Sequence, residues 1–300
     1  MAVLKLVEKN KIKLDEDILT YFPNFPYNGI TVRMLLNHRS GLPNYTYFLQ
    51  KLGWDVRKIS FNADVLHYIE QYKPPLTHAI GKHFSYCNTN FALLALIIEK
   101  ASGKTYSNFL QDTFFEPLHM NDTYVFGWSD SAAAMPSYDW KGKREPLNYL
   151  DGEYGDKNIY STPRDLLKWD QALYTNQLFK KETLDEAFTP YSNEKPGIKN
   201  YGLGWRMNIY PNGKKMIFHT GWWHGSNTFF IRLPEDSATI IILGNKYNRA
   251  IYQAKNLINI FQPYFQKGDA DEESTKELPL KNQQNDSILS PAKVDSLRKQ

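Results

Sequence analysis

The sequence predicts an α+β fold in which a run of helices is followed by an antiparallel sheet and a closing helix. In the first part of the chain, apolar residues recur at helical spacing between caps and stops, as in the strongly apolar stretch at residues 91–101. Four strand candidates at the spacing of a meander then follow, at residues 201–207, 215–220, 227–233 and 238–243. A last helix is predicted at residues 249–265. Since the sheet needs a cover for its apolar face, we expect a helical subdomain and a sheet flanked by helices.

The length is enough for one large domain or two small ones. The 300 residues are 42% apolar and 15% aromatic, which predicts a sizeable core and excludes wholesale disorder. The net charge is +4 with both signs interspersed, and this gives no support for nucleic acid binding. Apolar runs are far shorter than the roughly 20 residues that span a bilayer. Residues 1–265 are predicted to be the domain, and the charged residues 266–300 a mostly disordered tail.

Cysteine and histidine usage argues against a metal centre. Cys87 is the only cysteine, which excludes an internal disulfide and a cysteine-rich metal site. His219 and His224 have no carboxylate at ligand spacing. No metal and no cofactor is therefore predicted.

The first helix candidate begins at the first residue of the chain. Leu4, Val7 and Ile12 have amphipathic spacing, but no Ser, Thr, Asp or Asn cap precedes them. Two interpretations are open: a helix whose earlier turns precede Met1, or a frayed N-terminal helix. The first residues soon turn charged and have no small-residue cleavage site, so no signal peptide is predicted.

A polar loop at residues 81–90 immediately precedes the most apolar helix. It holds Tyr86 and Asn88, two residues apart. A phenol can move a proton, and an amide can hold a substrate carbonyl or a neighbouring charge. Taken alone, the pair also has an ordinary interpretation, with Tyr86 as a loop tyrosine and Asn88 as the cap of the following helix.

Several segments follow one another in a recognisable order. They are residues 6–17, residues 30–42, the Tyr86-Cys87-Asn88 element, residues 159–166, and the His219-Thr220-Gly221 strand motif followed by Trp222. In this order they resemble the serine β-lactamase-related hydrolases, which include class C β-lactamases, D-alanyl-D-alanine carboxypeptidases and β-lactamase-fold esterases. The resemblance covers about residues 1–262 and implies a β-lactamase/penicillin-binding-protein-like fold.

The resemblance implies acyl transfer through a serine acyl-enzyme, with an ester, amide or β-lactam substrate. It gives Tyr86 the proton-handling role and makes Asn88 a hydrogen-bond partner of a catalytic lysine or of the substrate amide. It implies that His219 binds or polarises a polar group of the substrate. For His219, packing against a neighbouring tryptophan is the alternative, and His38 is interpreted as a structural hydrogen-bonder.

The same resemblance implies a substrate-binding strand edge. The backbone of Thr220 and Gly221 would pair with the acyl side of the substrate and supply an oxyanion-hole donor. Trp222 and Trp223, together with an aromatic loop at residues 45–48, are candidates for the cleft wall.

In this family the nucleophile is the serine of a Ser-x-x-Lys motif, just before the segment that begins here at Met1. Three Ser-x-x-Lys strings occur, at Ser192, Ser290 and Ser296, about as many as chance gives. None opens a buried helix, so none is predicted to be the nucleophile. The expectation is a chain without the front strands of the sheet and without the nucleophile, inactive on its own. The alternative is a non-catalytic relative that uses the cleft for binding.

The remaining expectations also come from the resemblance. The partner would be a small-molecule or peptide acyl substrate. The full-length parent would work in the periplasm or cell envelope. The oligomeric state is not indicated.

Overall fold

The computed structural model describes residues 1–175, 177–261 and 264. Residues 1–256 form one compact unit, and a second unit begins at residue 257. The described α-helices are α1 (Ala2–Glu8), α2 (Val32–Leu36), α3 (Tyr45–Lys51), α4 (Asn62–Tyr72), α5 (Asn88–Ser102), α6 (Tyr106–Leu110), α7 (Pro163–Ala172) and α8 (Lys181–Ala187). The described strands are β1 (Tyr124–Val125), β2 (Ile159–Tyr160), β3 (Lys199–Tyr201), β4 (Arg206–Ile209), β5 (Lys215–Trp223), β6 (Ser226–Leu233) and β7 (Ala238–Gly244). The α+β prediction is therefore confirmed. The predicted tail at residues 266–300 lies outside the described residues.

Several helix ends follow directly from the sequence. The Thr31 side chain accepts a hydrogen bond from the Met34 backbone N–H at 3.2 Å and starts α2. Thr162 does the same for Asp165, with Pro163 at the first position of α7. Helix α5 ends at Gly103, whose φ of 73° lies in the left-handed region that suits glycine.

The five strands β3 to β7 form one antiparallel sheet in sequence order, as the meander predicts. The first strand candidate is corrected, because it is split into β3 and β4 by a turn at residues 202–205. At Gly204 the φ is +83°, and a Cβ on Gly202 would lie 2.2 Å from the Ala187 carbonyl oxygen. The positive φ of Gly204 interrupts the extended backbone, and Gly202 is required by the close approach of the last residue of α8.

Two further expectations are corrected. The predicted closing helix is a 3-10 helix, Arg249–Ile260, because apolar spacing over a short segment does not distinguish a period of 3.6 from one of 3.0. The predicted aromatic loop belongs to α3, which begins after Asn44 as its capping residue. Tyr45 and Phe48 are buried in the core, so their predicted place in a cleft wall is wrong.

Helix α5 is the centre of the helical side. It packs against α1, α2, α4 and α6, and eight of its 15 residues are buried. Its apolar burial fixes the position of its first turn, and with it the loop that carries Tyr86. Within the described part of the chain, every helix is too short or too polar to cross a membrane.

Candidate functional site

Tyr86 lies at the junction between the polar loop and helix α5. Its side chain is 36% exposed, whereas the next residue, Cys87, is 2% exposed and occupies the N-cap position. Asn88 is the first helical residue, so its interpretation as the cap is wrong. The site is thus mounted on the end of a buried helix, with Tyr86 as its accessible side chain.

Three elements bring charged and aromatic groups around Tyr86. Its ring lies 4.3 Å from the His38 ring and 6.1 Å from the His219 ring, between centroids. The guanidinium carbon of Arg206, on β4, lies 5.1 Å from the centroid of the Tyr86 ring. The structure therefore brings Tyr86 and His219 together. Asn88 is half-buried nearby, and its side chain has no hydrogen-bond partner among the described residues.

Strand β5 is paired differently along its length. Its inner half, residues 215–218, pairs with β4, and the ladder ends where Phe218 faces Arg206. Its outer half, residues 219–223, contains the predicted strand motif and pairs only with β6 within the described sheet. The opposite backbone edge has no paired strand in the described sheet, and the outer half begins at His219, whose ring centroid lies 6.1 Å from that of Tyr86. An extended substrate can add to such an edge through main-chain hydrogen bonds.

Gly221 permits the close packing of the outer half. A Cβ at this position would lie 2.2 Å from Oγ1 of Thr228, its cross-strand partner. The Gly221 carbonyl oxygen accepts a hydrogen bond from the Tyr252 hydroxyl at 2.9 Å. Trp222 donates its indole N–H to the His224 carbonyl at 2.9 Å. These contacts hold the outer half, which has β6 as its one paired strand among the described residues.

A buried carboxylate holds the far end of the outer half. Asp151 is 2% exposed and accepts hydrogen bonds from the Trp223 indole N–H at 2.6 Å and from His224 Nε2 at 3.0 Å. Burial alone would raise the pKa of Asp151, but the hydrogen bond and charge of His224 lower it below its usual value. Asp151 is therefore ionised and joins the loop before β2 to the end of β5.

Both histidines at the site are neutral at neutral pH. Burial and then the charge of Arg206 lower the pKa of His219 to about 4. Burial, followed by the proximity of His219 and the charge of Arg206, puts the pKa of His38 well below its ordinary value. The His219 Nε2 lies 3.3 Å from the Tyr201 hydroxyl, and its Nδ1 lies 2.7 Å from the Thr220 carbonyl oxygen. Both ring nitrogens thus have protein partners, so contact with a substrate would require one of these bonds to break.

The arrangement combines a phenol, a fixed cation and an open strand edge. It can bind an extended acyl group and move a proton beside it.

Of the three Ser-x-x-Lys strings, the first lies in the loop between α8 and β3, where the Ser192 backbone N–H bonds to Asn200 Oδ1 at 2.8 Å. Ser290 and Ser296 lie outside the described residues. In the described ranges, no group of three His, Cys, Asp or Glu residues could hold a metal ion.

Sequence reasoning missed Arg206, Tyr201 and Asp151 as members of the site. The sequence did contain a signal for Tyr201 and Arg206. Two glycines stand between them and indicate a tight turn, which brings β3 and β4 side by side. Asp151 gave no signal, because its partners lie 72 and 73 residues away in the sequence.

A profile of the beta-lactamase family matches residues 1–262. Penicillin-binding protein 4* of Bacillus subtilis is 33% identical over 285 residues, which cover 88% of this chain and 63% of that protein. The chain thus spans less than two thirds of the length of this relative.

Solved structures share the fold. The penicillin-binding protein from Bacillus halodurans superposes with a TM-score of 0.74 at 22% identity, over 87% of this chain and 81% of that one. A D-stereospecific amidohydrolase from Streptomyces sp. has a TM-score of 0.63 at 25% identity, over 84% of this chain and 82% of that one. These similarities confirm the penicillin-binding-protein-like fold that the sequence predicts.

Proposed function

Because the chain belongs to the beta-lactamase family, we propose that it forms one side of an acyl-transfer site that hydrolyses ester, amide or β-lactam bonds in a longer protein. The observation that carries the proposal is the position of Tyr86 beside the open edge of the outer half of β5. A phenol at that place can exchange a proton with a group that reacts on a substrate bound along the edge.

Each part of the site has a role in this proposal. Tyr86 handles the proton, and the fixed charge of Arg206 beside its ring favours the anionic state during transfer. The outer half of β5 binds the acyl side of the substrate through the backbone of Thr220 and Gly221. Asn88 reaches a polar group of the substrate or a catalytic cation.

We assign no nucleophile within this chain. The serine that attacks the acyl carbon belongs, in our proposal, to the longer protein. Since similar proteins include penicillin-binding proteins and a D-stereospecific amidohydrolase, the substrates to test first are β-lactams and amides of D-amino acids. We also propose that this longer protein is located in the periplasm or cell envelope.

The test uses the longer protein with Tyr86→Phe, assayed on a nitrophenyl ester, a D-amino acid amide and nitrocefin. We expect kcat/KM to fall by about 10²- to 10⁴-fold on whichever substrate is turned over, because the phenolic proton is lost while the ring remains. The matched control is Tyr47→Phe, which removes a hydroxyl from a side chain that is 58% exposed on α3. Normal turnover by Tyr86→Phe would exclude the proposed role.

A second measurement separates catalysis from binding alone. A fluorophosphonate or penicillin probe should label the longer protein on a serine. Substrate binding without any adduct would instead establish a non-catalytic relative that uses the cleft.

A further inference from the structure

A continuous hydrogen-bonded chain crosses the protein beneath Tyr86 and joins four elements of the fold. Asn90 Nδ2 lies 3.1 Å from His38 Nδ1, and His38 Nε2 lies 3.2 Å from the Tyr201 hydroxyl. The Tyr201 hydroxyl lies 3.3 Å from His219 Nε2, and His219 Nδ1 lies 2.7 Å from the Thr220 carbonyl oxygen. The chain therefore runs from the first turn of α5, through His38, two residues after the end of α2, and strand β3, to the strand motif on β5.

Backbone groups fix the positions of the protons at both ends. The Cys87 backbone N–H lies 3.1 Å from His38 Nδ1, and because an amide N–H can only donate, this Nδ1 must accept. At the other end the Thr220 carbonyl oxygen can only accept, so His219 Nδ1 must carry a proton.

The intermediate protons follow from these two ends. Neutral His38 accepts on Nδ1, so its proton is on Nε2 and is donated to the Tyr201 oxygen. The hydroxyl proton of Tyr201 is then donated to Nε2 of neutral His219. The four bonds from the Cys87 amide to the Thr220 carbonyl are satisfied by one arrangement of protons, and the Asn90 side-chain N–H is a second donor to His38 Nδ1.

The surroundings of His38 indicate that its position is held closely. Its side chain is 1% exposed, and its φ of +56° lies in the left-handed region that is uncommon for non-glycine residues. Its ring contacts those of Phe84, Tyr86, Phe91 and Tyr201. The same imidazole thus supports the Tyr86 ring and starts the bonds that reach His219.

We propose that His38 and Tyr201 are positioning residues that hold His219 as a neutral imidazole protonated on Nδ1, with its Nε2 taken by Tyr201 rather than by the substrate. This inference deepens the proposed function, on which its relevance to catalysis rests. It assigns His219 the role of a fixed, uncharged wall of the cleft. The titratable and charged groups that face the two imidazoles are Tyr86, Tyr201 and Arg206.

The test is long-range ¹H–¹⁵N NMR of the chain labelled on its seven histidines, which needs no substrate. We expect His38 protonated on Nε2 and His219 on Nδ1. In Tyr201→Phe, His219 loses the donor to its Nε2. We then expect a second tautomer of His219, with its proton on Nε2.

A matched control is Tyr21→Phe, since the Tyr21 hydroxyl donates to Glu16 at 3.1 Å outside this chain of bonds. It should leave both imidazoles unchanged. Wild-type His219 protonated on Nε2, or an unchanged His219 in a folded Tyr201→Phe, would overturn the inference. If Tyr201→Phe does not fold, the wild-type tautomers decide the matter.

The outcome is separable from that of the proposed function. An inactive longer protein with the expected tautomers would refute acyl transfer and leave the proton arrangement standing. Active protein with the opposite His219 tautomer would do the reverse.

Discussion

The two halves of β5 belong to one strand but have opposite surroundings. The inner half is paired with β4 and contains Met216 and Ile217, both 2% exposed. The side chains of the outer half are all half-buried, and this half pairs with β6 alone in the described sheet. The inner half is held by apolar burial, which does not depend on the geometry of single contacts. The outer half is held by directed contacts to single groups, namely Tyr201, Tyr252 and Asp151.

The difference shows how one strand can both stabilise a fold and serve a site. Burial of the inner half fixes the position of the strand. The outer half then keeps an edge without a paired strand in the described sheet, beginning at His219 beside Tyr86. Substitutions in the two halves should therefore have separable effects on stability and on the cleft.

The largest stability effect is expected in the inner half. Ile217→Ala should lower the free energy of unfolding by about 2–5 kcal/mol, because it removes buried methyl groups and leaves a cavity. Denaturant unfolding measures this. Thr220→Ala, in the outer half, should cost less than about 1 kcal/mol, because that side chain is only half-buried. Equal losses for the two variants would remove the distinction between the halves.

A smaller effect is expected at the centre of the outer half. Gly221→Ala should destabilise the protein by about 1–3 kcal/mol, because the new Cβ would overlap Oγ1 of Thr228. The double variant Gly221→Ala with Thr228→Ala should recover most of the loss, since Thr228 Oγ1 is then absent. A double variant no more stable than the single one would show that another contact is responsible.

The effect at the end of the outer half should depend on pH. Asp151→Asn should cost about 1–3 kcal/mol at pH 7, because the buried hydrogen bonds lose their ionised acceptor. The folded pKa of Asp151 lies below the ordinary 3.8, so its stabilisation is present above pH 3.8 and is lost as the pH falls through the folded pKa. The difference between wild type and variant should shrink accordingly in acid.

The control for this titration is Asp185→Asn, whose carboxylate is 63% exposed beside Lys181 on α8. It should change the free energy of unfolding by less than about 0.5 kcal/mol at every pH. A constant cost of Asp151→Asn from pH 7 to pH 2 would contradict the assignment of the ionised form.

Local chemistry made part of this structure predictable from the sequence. The caps at Thr31 and Thr162 could be predicted because the side chain and the amide it bonds are three residues apart. Gly202 and Gly204 indicated the split between β3 and β4, but the flanking residues have strand propensity and led to the prediction of one continuous strand. Asn44 was likewise a recognisable cap for α3.

The site was predictable only in part, because its contacts are tertiary. Tyr86 and His219 could be placed together through the family resemblance, since 133 positions separate them. Nothing local indicates that Tyr201 would bond to both His38 and His219, or that Asp151 would hold His224. Such contacts depend on how separate elements dock, which periodicity and capping do not encode.

The reactivity of the single cysteine reports local opening of the Tyr86 loop and the first turn of α5. Cys87 is the N-cap of α5 and is 2% exposed, and burial raises the pKa of its thiol to about 11. Thiolate is the reactive form, so alkylation proceeds only from conformations in which the Tyr86 loop and the first helical turn have opened. The rate of thiol modification under native conditions therefore reports the free energy of that opening at Cys87, the residue next to Tyr86.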